Sequence, residues 1–237
     1  SAARRTRLHS GLEIHHLEWG DPREHEHTVV LVHGFLDMAW TWEATVNAGL
    51  ADHFFVVAPD MRGHGDSGRV GAGGYYYFAD YLADLDDWLV RLGRKTVSLV
   101  GHSMGGSICA YFAGTFPERV HRLALLEGTG PPDMGGPGPD RVAQWLGSVA
   151  RARAKPPSRY PTLADAARRM RKADPLLGEP MSLRLAEKGT VLDQDGYRFK
   201  HDPLHATFGP YGFQVDVALK FWRQVTCPTL LVEAEQS

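Results

Sequence analysis

Hydrophobic residues along the chain cluster in short segments that alternate with longer stretches of helical periodicity. The short segments occupy residues 28–32, 54–58, 96–100, 120–126 and 229–233, and residues 28–32 form a continuous apolar run. Unbroken apolar runs of this length are typical of parallel strands buried on both faces. Residues 78–92 place apolar side chains on one helical face, and Gly93 follows as an end signal. The alternation predicts an α/β protein with a doubly wound, mostly parallel sheet.

The remaining pattern is less regular. We interpret residues 5–9 and 12–19 as an antiparallel pair of strands around Ser10 and Gly11. Residues 41–50 and 104–116 have the composition and spacing of helices.

The most informative junction lies at Ser103, where a buried strand runs directly into a helix. Residues 101–106 read Gly-His-Ser-Met-Gly-Gly. Such a turn holds the central serine in a strained backbone conformation, and small neighbours such as Gly101 and Gly105 let the two backbones pass. This pattern predicts a nucleophile elbow with the Ser103 hydroxyl raised above the sheet.

A second signal lies upstream, where strand 28–32 ends in His33, Gly34 and Phe35. An oxyanion hole needs two amides aimed at one point. We predict that the N–H groups of Met104 and Phe35 supply them, and that Gly34 permits the close approach of the backbone. His33 is expected to make structural hydrogen bonds and not to act as the general base.

Composition excludes several classes of function. The chain has 237 residues, 43% of them apolar, and a net charge of −2. It can therefore bury a full core, and it carries no overall nucleic-acid footprint. No stretch approaches the roughly 20 apolar residues of a membrane span. Two cysteines give no disulfide framework and fit a reducing compartment, so we expect a cytoplasmic protein.

Two further absences narrow the chemistry. The sequence has no phosphate-cradling glycine loop and no cluster of Cys and His with metal-ligand spacing, so we expect neither cofactor nor metal. The N-terminal residues carry no signal-peptide core, although a signal removed before Ser1 stays open.

At these motifs the chain resembles the α/β-hydrolase fold family, over nearly its whole length. Residues 56–67, Val-Val-Ala-Pro-Asp-Met-Arg-Gly-His-Gly-Asp-Ser, are similar to that family's exit from strand four. Similarity to a subgroup of serine-hydrolase-like proteins with a haloalkane-dehalogenase layout lies in residues 126–132, 160–163 and 197–204. Dehalogenases attack with aspartate, so Ser103 argues against carbon–halogen displacement and for acyl transfer to water.

A hydrolase core interrupted by a cap is the domain organisation we expect. About a hundred residues separate strands 120–126 and 229–233, which is too long for an ordinary connection. We assign residues 1–130 and 215–237 to the core and residues 131–214 to a helical cap. The expected cap helices lie near residues 141–154, 163–173 and 181–188, after a Pro/Gly-rich entrance loop at 131–139.

The cap and the pocket beneath it leave alternatives open. Residues 141–172 carry nine Lys or Arg against one Asp. They form either a positive rim that attracts an acidic ligand or carrier protein, or solvated helix faces. The substrate pocket is expected to include His33, Gly34, Trp40 and His102. Trp40 and its neighbour Trp42 fit a pocket wall and a core position equally well.

The rest of a catalytic triad is harder to find. A serine hydroxyl needs a base that is oriented by an acid, and in the resembled family the histidine follows an eighth strand. Among the histidines after Ser103, His121 opens a strand, and His201 and His205 belong to the return segment of the cap. Glu127, at the carboxyl end of strand 120–126, is the candidate acid; the alternative is that it orders the cap entrance.

A sheet that ends at strand 229–233 would expose a long apolar edge, which folded proteins avoid. We therefore expect about fifty further residues beyond Ser237, with the eighth strand, a final helix and the catalytic histidine.

Together these patterns predict a serine hydrolase that cleaves an ester or related acyl bond of a small molecule through an acyl-enzyme on Ser103. Two alternatives stay open: a catalytically silent small-molecule-binding protein on the same scaffold, and carbon–carbon hydrolysis or perhydrolysis at the same site. The expected partner is a small acyl substrate, without nucleic acid or membrane, and the oligomeric state is open.

Overall fold

A computed structural model describes residues 1–207 and 209–235. The strands are β1 (Ala2–Arg7), β2 (Glu13–Trp19), β3 (Thr28–Val32), β4 (Phe55–Pro59), β5 (Val97–His102), β6 (Val120–Leu126), β7 (Thr190–Asp193), β8 (Gly196–Phe199) and β9 (Thr229–Val232). The α-helices are α1 (Glu43–Asn47), α2 (Phe78–Arg91), α3 (Met104–Thr115), α4 (Pro139–Ala154), α5 (Leu163–Ala173), α6 (Glu179–Gly189) and α7 (Val215–Trp222).

The central sheet has seven strands in the order β1-β2-β4-β3-β5-β6-β9. The β1/β2 and β2/β4 pairs are antiparallel, and every later neighbour pairs in parallel. This confirms the predicted doubly wound, mostly parallel sheet. Because β3, β5 and β6 are adjacent and parallel, the loops that follow them meet at one edge of the sheet, where sites of this architecture form.

Each face of the sheet buries its own cluster of apolar side chains. One cluster lies under α2 and α3 and includes Trp88 and Phe112. The other lies on the opposite face, with Trp42 and Val46 among its members. All residues of β3 and β4 are buried, which explains their unbroken apolar sequence. Full burial of side chains of this size contributes about 1.5–3 kcal/mol each, so the two clusters hold the sheet between its helices.

The predicted helix at 41–50 is shorter in the structure. A 3₁₀ turn, Ala39–Trp42, leads into α1, and Gly49 follows with a φ of 121°. A residue with this φ cannot continue a right-handed helix, and glycine is the residue that adopts it without strain. The helix therefore ends before residue 50.

Residues 131–214 contain more than the expected helices. α4, α5 and α6 lie at or within two residues of the predicted bounds, but β7 and β8 form a two-stranded antiparallel sheet that the sequence did not predict. Gln194 and Asp195 form the two-residue turn between them, and Gly196, with a φ of 117°, begins β8. The three expected helices are therefore present, and the small sheet of β7 and β8 is an addition to them. The domain boundaries at residues 131 and 214 stay a prediction.

Gly105 sets how closely α3 approaches β3. A Cβ atom at this position would overlap the carbonyl oxygens of Val32 and His33. We predict that Gly105→Ala lowers the free energy of unfolding by about 3 kcal/mol, because neither backbone can move away cheaply. Urea denaturation measures the change. Gly73→Ala is the control, since nothing lies within 4 Å of its added Cβ. Equal stability of the two variants would contradict this account of the junction.

Candidate active site

Ser103 lies between the last residue of β5 and the first residue of α3. Its backbone has a φ of 50° and a ψ of −117°, outside the regions that L-residues favour. Strain of this kind costs about 1–3 kcal/mol and persists only where the surroundings fix it. Two backbone hydrogen bonds fix the position of Ser103. Its N–H donates to the carbonyl of Leu126 at 3.0 Å, and its carbonyl accepts the N–H of Ser107 at 3.2 Å. The sheet and the helix thus hold the elbow together.

The loop after β3 lies against this elbow. Its Gly34 is packed so closely that a Cβ there would be 3.5 Å from Ser103 Cβ and 2.7 Å from Nδ1 of His102. Residues 34–37 form a turn, closed by the Asp37 N–H, which donates to the Gly34 carbonyl at 3.3 Å. A side chain at position 34 would therefore displace the exposed ring of His102 and come into van der Waals contact with Ser103.

Two amides at this edge are available to a ligand. Within residues 1–207 and 209–235, the Phe35 N–H has no hydrogen-bond acceptor. The Met104 N–H belongs to the first residue of α3, where helix amides lack intrahelical acceptors and the helix dipole is positive. The two predicted oxyanion donors therefore belong to the loop and the helix that meet at Ser103.

His33 joins two loops through both of its ring nitrogens. The ring is fully buried; Nδ1 lies 2.7 Å from the carbonyl oxygen of Gly34, and Nε2 accepts the Met61 N–H at 2.9 Å. An Nε2 that accepts an amide proton leaves the Nδ1 proton to donate to the carbonyl. With both nitrogens occupied by backbone groups, His33 fixes the turn after β3 against the loop after β4.

Asp60 is a second tie between these loops, and sequence reasoning gave it no role. Its carboxylate accepts the Ala39 N–H at 2.6 Å and the Asp66 N–H at 2.8 Å, and it pairs with His15 Nδ1 at 2.7 Å. Complete burial works to raise the pKa of Asp60, but the hydrogen bond and charge of His15 outweigh it, and the pKa is lowered. An ionised carboxylate is thus the form that holds the loops.

Asp60 also belongs to a group of side chains, within the described residues, that could in principle bind a metal ion. Ligand atoms of His15, Asp60 and Asp66 lie within 4.8 Å of one another. However, the Asp60 oxygens already accept amide protons, and Lys200 Nζ pairs with Asp66 at 2.8 Å. These contacts satisfy the carboxylates without a cation, so the group fits a structural network better than a metal centre.

Glu127 follows β6 at the same sheet edge. It has a φ of 51°, its N–H donates to the Val232 carbonyl at 2.9 Å, and its carboxylate accepts the Ala234 N–H. Among the described non-glycine residues, positive φ occurs at Leu36, Ser103 and Glu127. These three follow β3, β5 and β6, so the backbone strain is concentrated where the three strand ends meet.

The remaining residues predicted for the pocket lie in different environments. Trp42 is only 7% exposed and belongs to the core. Trp40 packs partly against that core, and its ring also lies 4.4 Å from Lys188 Nζ and 5.4 Å from the Arg184 guanidinium on α6. Trp40 therefore contacts the cap, and its role as a pocket wall stays a prediction. His102 is exposed beside Gly34.

The segment after β8 packs close to the turn after β3 through His205. The imidazole lies 4.1 Å from the ring of His64 and 4.0 Å from the ring of Tyr76, and Nδ1 is 3.3 Å from the Tyr81 hydroxyl. The Phe35 ring is 6.0 Å away. Burial lowers the pKa of His205 to about 4, against the opposing charge of Asp202. In the described structure, no histidine is hydrogen-bonded to the Ser103 hydroxyl.

The sheet order and the serine elbow define a class of α/β proteins with a site at the carboxyl edge of the strands. Residues 27–212 match the family model of the alpha/beta hydrolase fold. The chain belongs to the α/β-hydrolase fold family, which confirms the resemblance seen in its motifs.

Similar proteins support a hydrolase. An uncharacterised protein from Mycobacterium tuberculosis is 41% identical over 102 residues, or 43% of this chain and 29% of that protein. A serine hydrolase-like protein from Danio rerio is 34% identical over 46% of this chain and 35% of its own length. The chain thus spans about a third of these curated relatives.

Among solved structures, the chain is similar to a thioesterase domain from the curacin biosynthetic pathway. The identity is 28% and the TM-score is 0.84, over 100% of this chain and 84% of that domain. Over the described residues, no helix is both long enough and apolar enough to cross a membrane.

The low pKa of His205 predicts acid sensitivity of the cap contact. The folded pKa is about 4 and the ordinary value is 6.5, so the unfolded chain binds the proton more readily. The free energy of unfolding should therefore be fully retained above pH 6.5 and should fall by up to about 3 kcal/mol as the pH drops to about 4. His205→Gln should flatten this dependence. Urea denaturation at pH 7.5, 5.5 and 4.5 measures it.

One neighbouring group, His64, also affects the expected pH dependence. Burial and nearby histidines also hold the pKa of His64 well below its usual range, so His205→Gln should keep a residual slope. The control is His53→Gln, at an exposed position. If wild type and His205→Gln lose stability in parallel on acidification, the buried imidazole is not the cause.

Proposed function

We propose that the protein is a serine hydrolase that cleaves an ester or related acyl bond of a small molecule through an acyl-enzyme on Ser103. The observation that carries this proposal is the strained elbow at Ser103, with a φ of 50°, packed against the turn of residues 34–37. A structural turn would have no need of a non-glycine residue in this conformation, whereas a nucleophile needs its side chain there.

In the proposed reaction, Ser103 Oγ attacks the acyl carbonyl carbon and loses its proton to a base. The developing oxyanion accepts hydrogen bonds from the amides of Phe35 and Met104, each worth about 3–4 kcal/mol in comparable hydrolases. The base then passes the proton to the leaving group, which departs. Water attacks the acyl-enzyme, and its proton returns through the base to Ser103.

The base is the histidine that the family resemblance implies after an eighth strand, and this assignment stays a prediction. Glu127 is our candidate for the acid that orients it. Two features favour Glu127: it follows the strand next to that of Ser103, and its backbone is strained at a φ of 51°. The alternative is that the carboxylate orders the segment after β9 through the Ala234 amide.

Thioesters belong among the substrates to be tested. The thioesterase domain from the curacin pathway is similar to this chain over its whole length, at 28% sequence identity. A thioester carbonyl presents the same electrophile to Ser103 and the same oxyanion to the amides, and its thiolate leaves more readily than an alkoxide.

Labelling of the nucleophile is the direct test. The complete protein should react covalently with a fluorophosphonate probe and hydrolyse p-nitrophenyl acetate or a small acyl thioester. Ser103→Ala should abolish the label and lower kcat/KM at least about a thousandfold, because the attacking oxygen is gone. Intact-mass spectrometry locates the adduct, and circular dichroism checks that the variant is folded.

Ser158→Ala is the control, since Ser158 is exposed in the loop after α4. A wild-type protein that takes no label and loses nothing in Ser103→Ala would overturn the mechanism and leave the binding-protein alternative.

The role of Glu127 needs its own variant. If it orients the base, Glu127→Gln should lower kcat about a hundredfold to ten-thousandfold with KM little changed, because the base loses its orientation and charge partner. Steady-state kinetics with p-nitrophenyl acetate or the small acyl thioester measures kcat and KM. Glu118→Gln, at an exposed position on the far side of β6, is the matched control. A lower melting temperature with an unchanged kcat would assign Glu127 to ordering of the loop instead.

A further inference from the structure

Leu36 occupies a backbone position that disfavours leucine. It is the third residue of the turn that the Asp37 N–H closes on the Gly34 carbonyl, and its φ is 61°. A positive φ at the third position of such a turn selects glycine or asparagine, because the Cβ of other residues meets the neighbouring carbonyl. The chain keeps a branched apolar side chain there at a cost in backbone free energy.

Packing does not explain this choice. The Leu36 side chain is 40% exposed, and within the described residues it belongs to none of the buried apolar clusters. The preceding Phe35 is 49% exposed. Phe35 makes edge contacts with the rings of His64 and His205, and Leu36 beside it leaves apolar surface open to contact with an apolar group.

The position of this pair beside the serine indicates what that contact is. We define Phe35 and Leu36 as the apolar lip. Gly34, which precedes the lip, lies against Ser103, and the Phe35 amide has no acceptor among the described residues. In an acyl-enzyme, the group held next to this loop is the acyl chain, which stays attached to Ser103 after the leaving group has departed.

We propose that Leu36 is a specificity-determining residue, whose side chain is held over the site by the strained turn so that the enzyme favours apolar acyl chains over acetyl. The inference rests on the proposed function of Ser103. It explains why the third turn position is not glycine: glycine would relax the backbone and remove the contact with the substrate.

The test compares p-nitrophenyl octanoate with p-nitrophenyl acetate in four variants. Leu36→Ala removes the side chain and keeps the strained backbone, whereas Leu36→Gly and Leu36→Asn tolerate the left-handed conformation. Leu176→Ala is the control, because that leucine is 87% exposed in the cap. The ratio of kcat/KM for octanoate over acetate should fall at least about tenfold in all three Leu36 variants and stay unchanged in the control.

Thermal unfolding and fluorophosphonate labelling separate the outcomes. Leu36→Gly and Leu36→Asn should melt at or above the wild-type temperature and still take the label on Ser103. A ratio within about twofold of wild type, with labelling intact, overturns the inference and leaves the proposed function standing. So does a melting temperature that falls in Leu36→Gly and Leu36→Ala alike with the ratio kept, since that is a packing role. A wild-type protein that neither labels nor hydrolyses either ester overturns both.

Discussion

The close approach of α3 to the ends of β3 and β5 is the constraint on which the site depends. Side chains at Gly101 and Gly105 would overlap backbone atoms across this junction, so both positions are restricted to glycine. Once the helix starts this close to the sheet, the residue between them must turn through a sharp angle. The strained conformation of Ser103, its hydrogen bond to Leu126 and the direction of the first helix amides follow from that geometry.

The turn after β3 depends on a different kind of interaction. Two buried polar side chains fix its position: its own His33 and Asp60 of the loop after β4. His33 accepts an amide proton from the loop after β4, and Asp60 of that loop accepts the amide proton of Ala39. An unpaired buried carboxylate would cost several kcal/mol, so these contacts oppose separation of the two loops. The two loops therefore behave as one unit.

Much of the core was predictable because its signals are local. An unbroken apolar run gives a strand buried on both faces, and a glycine-flanked serine between a strand and a helix gives the elbow. β7 and β8 were missed because each has only four residues, too few for a period of two to stand out. The lysine over Trp40 and the packing of His205 on His64 join residues more than a hundred positions apart, and no local pattern records such contacts.

Positive φ angles separate two kinds of turn in this chain. Nine described glycines adopt them, where a turn needs only its backbone. Positive φ angles also occur at three residues that carry a side chain: Leu36, Ser103 and Glu127. Replacement of any of these residues by glycine would relieve backbone strain. All three follow strands that end at the same edge of the sheet. Since folding alone would favour glycine at these positions, the strain agrees with the roles we propose at that edge: attack on an electrophile for Ser103, orientation of a base or ordering of a neighbouring loop for Glu127, and contact with an apolar chain for Leu36.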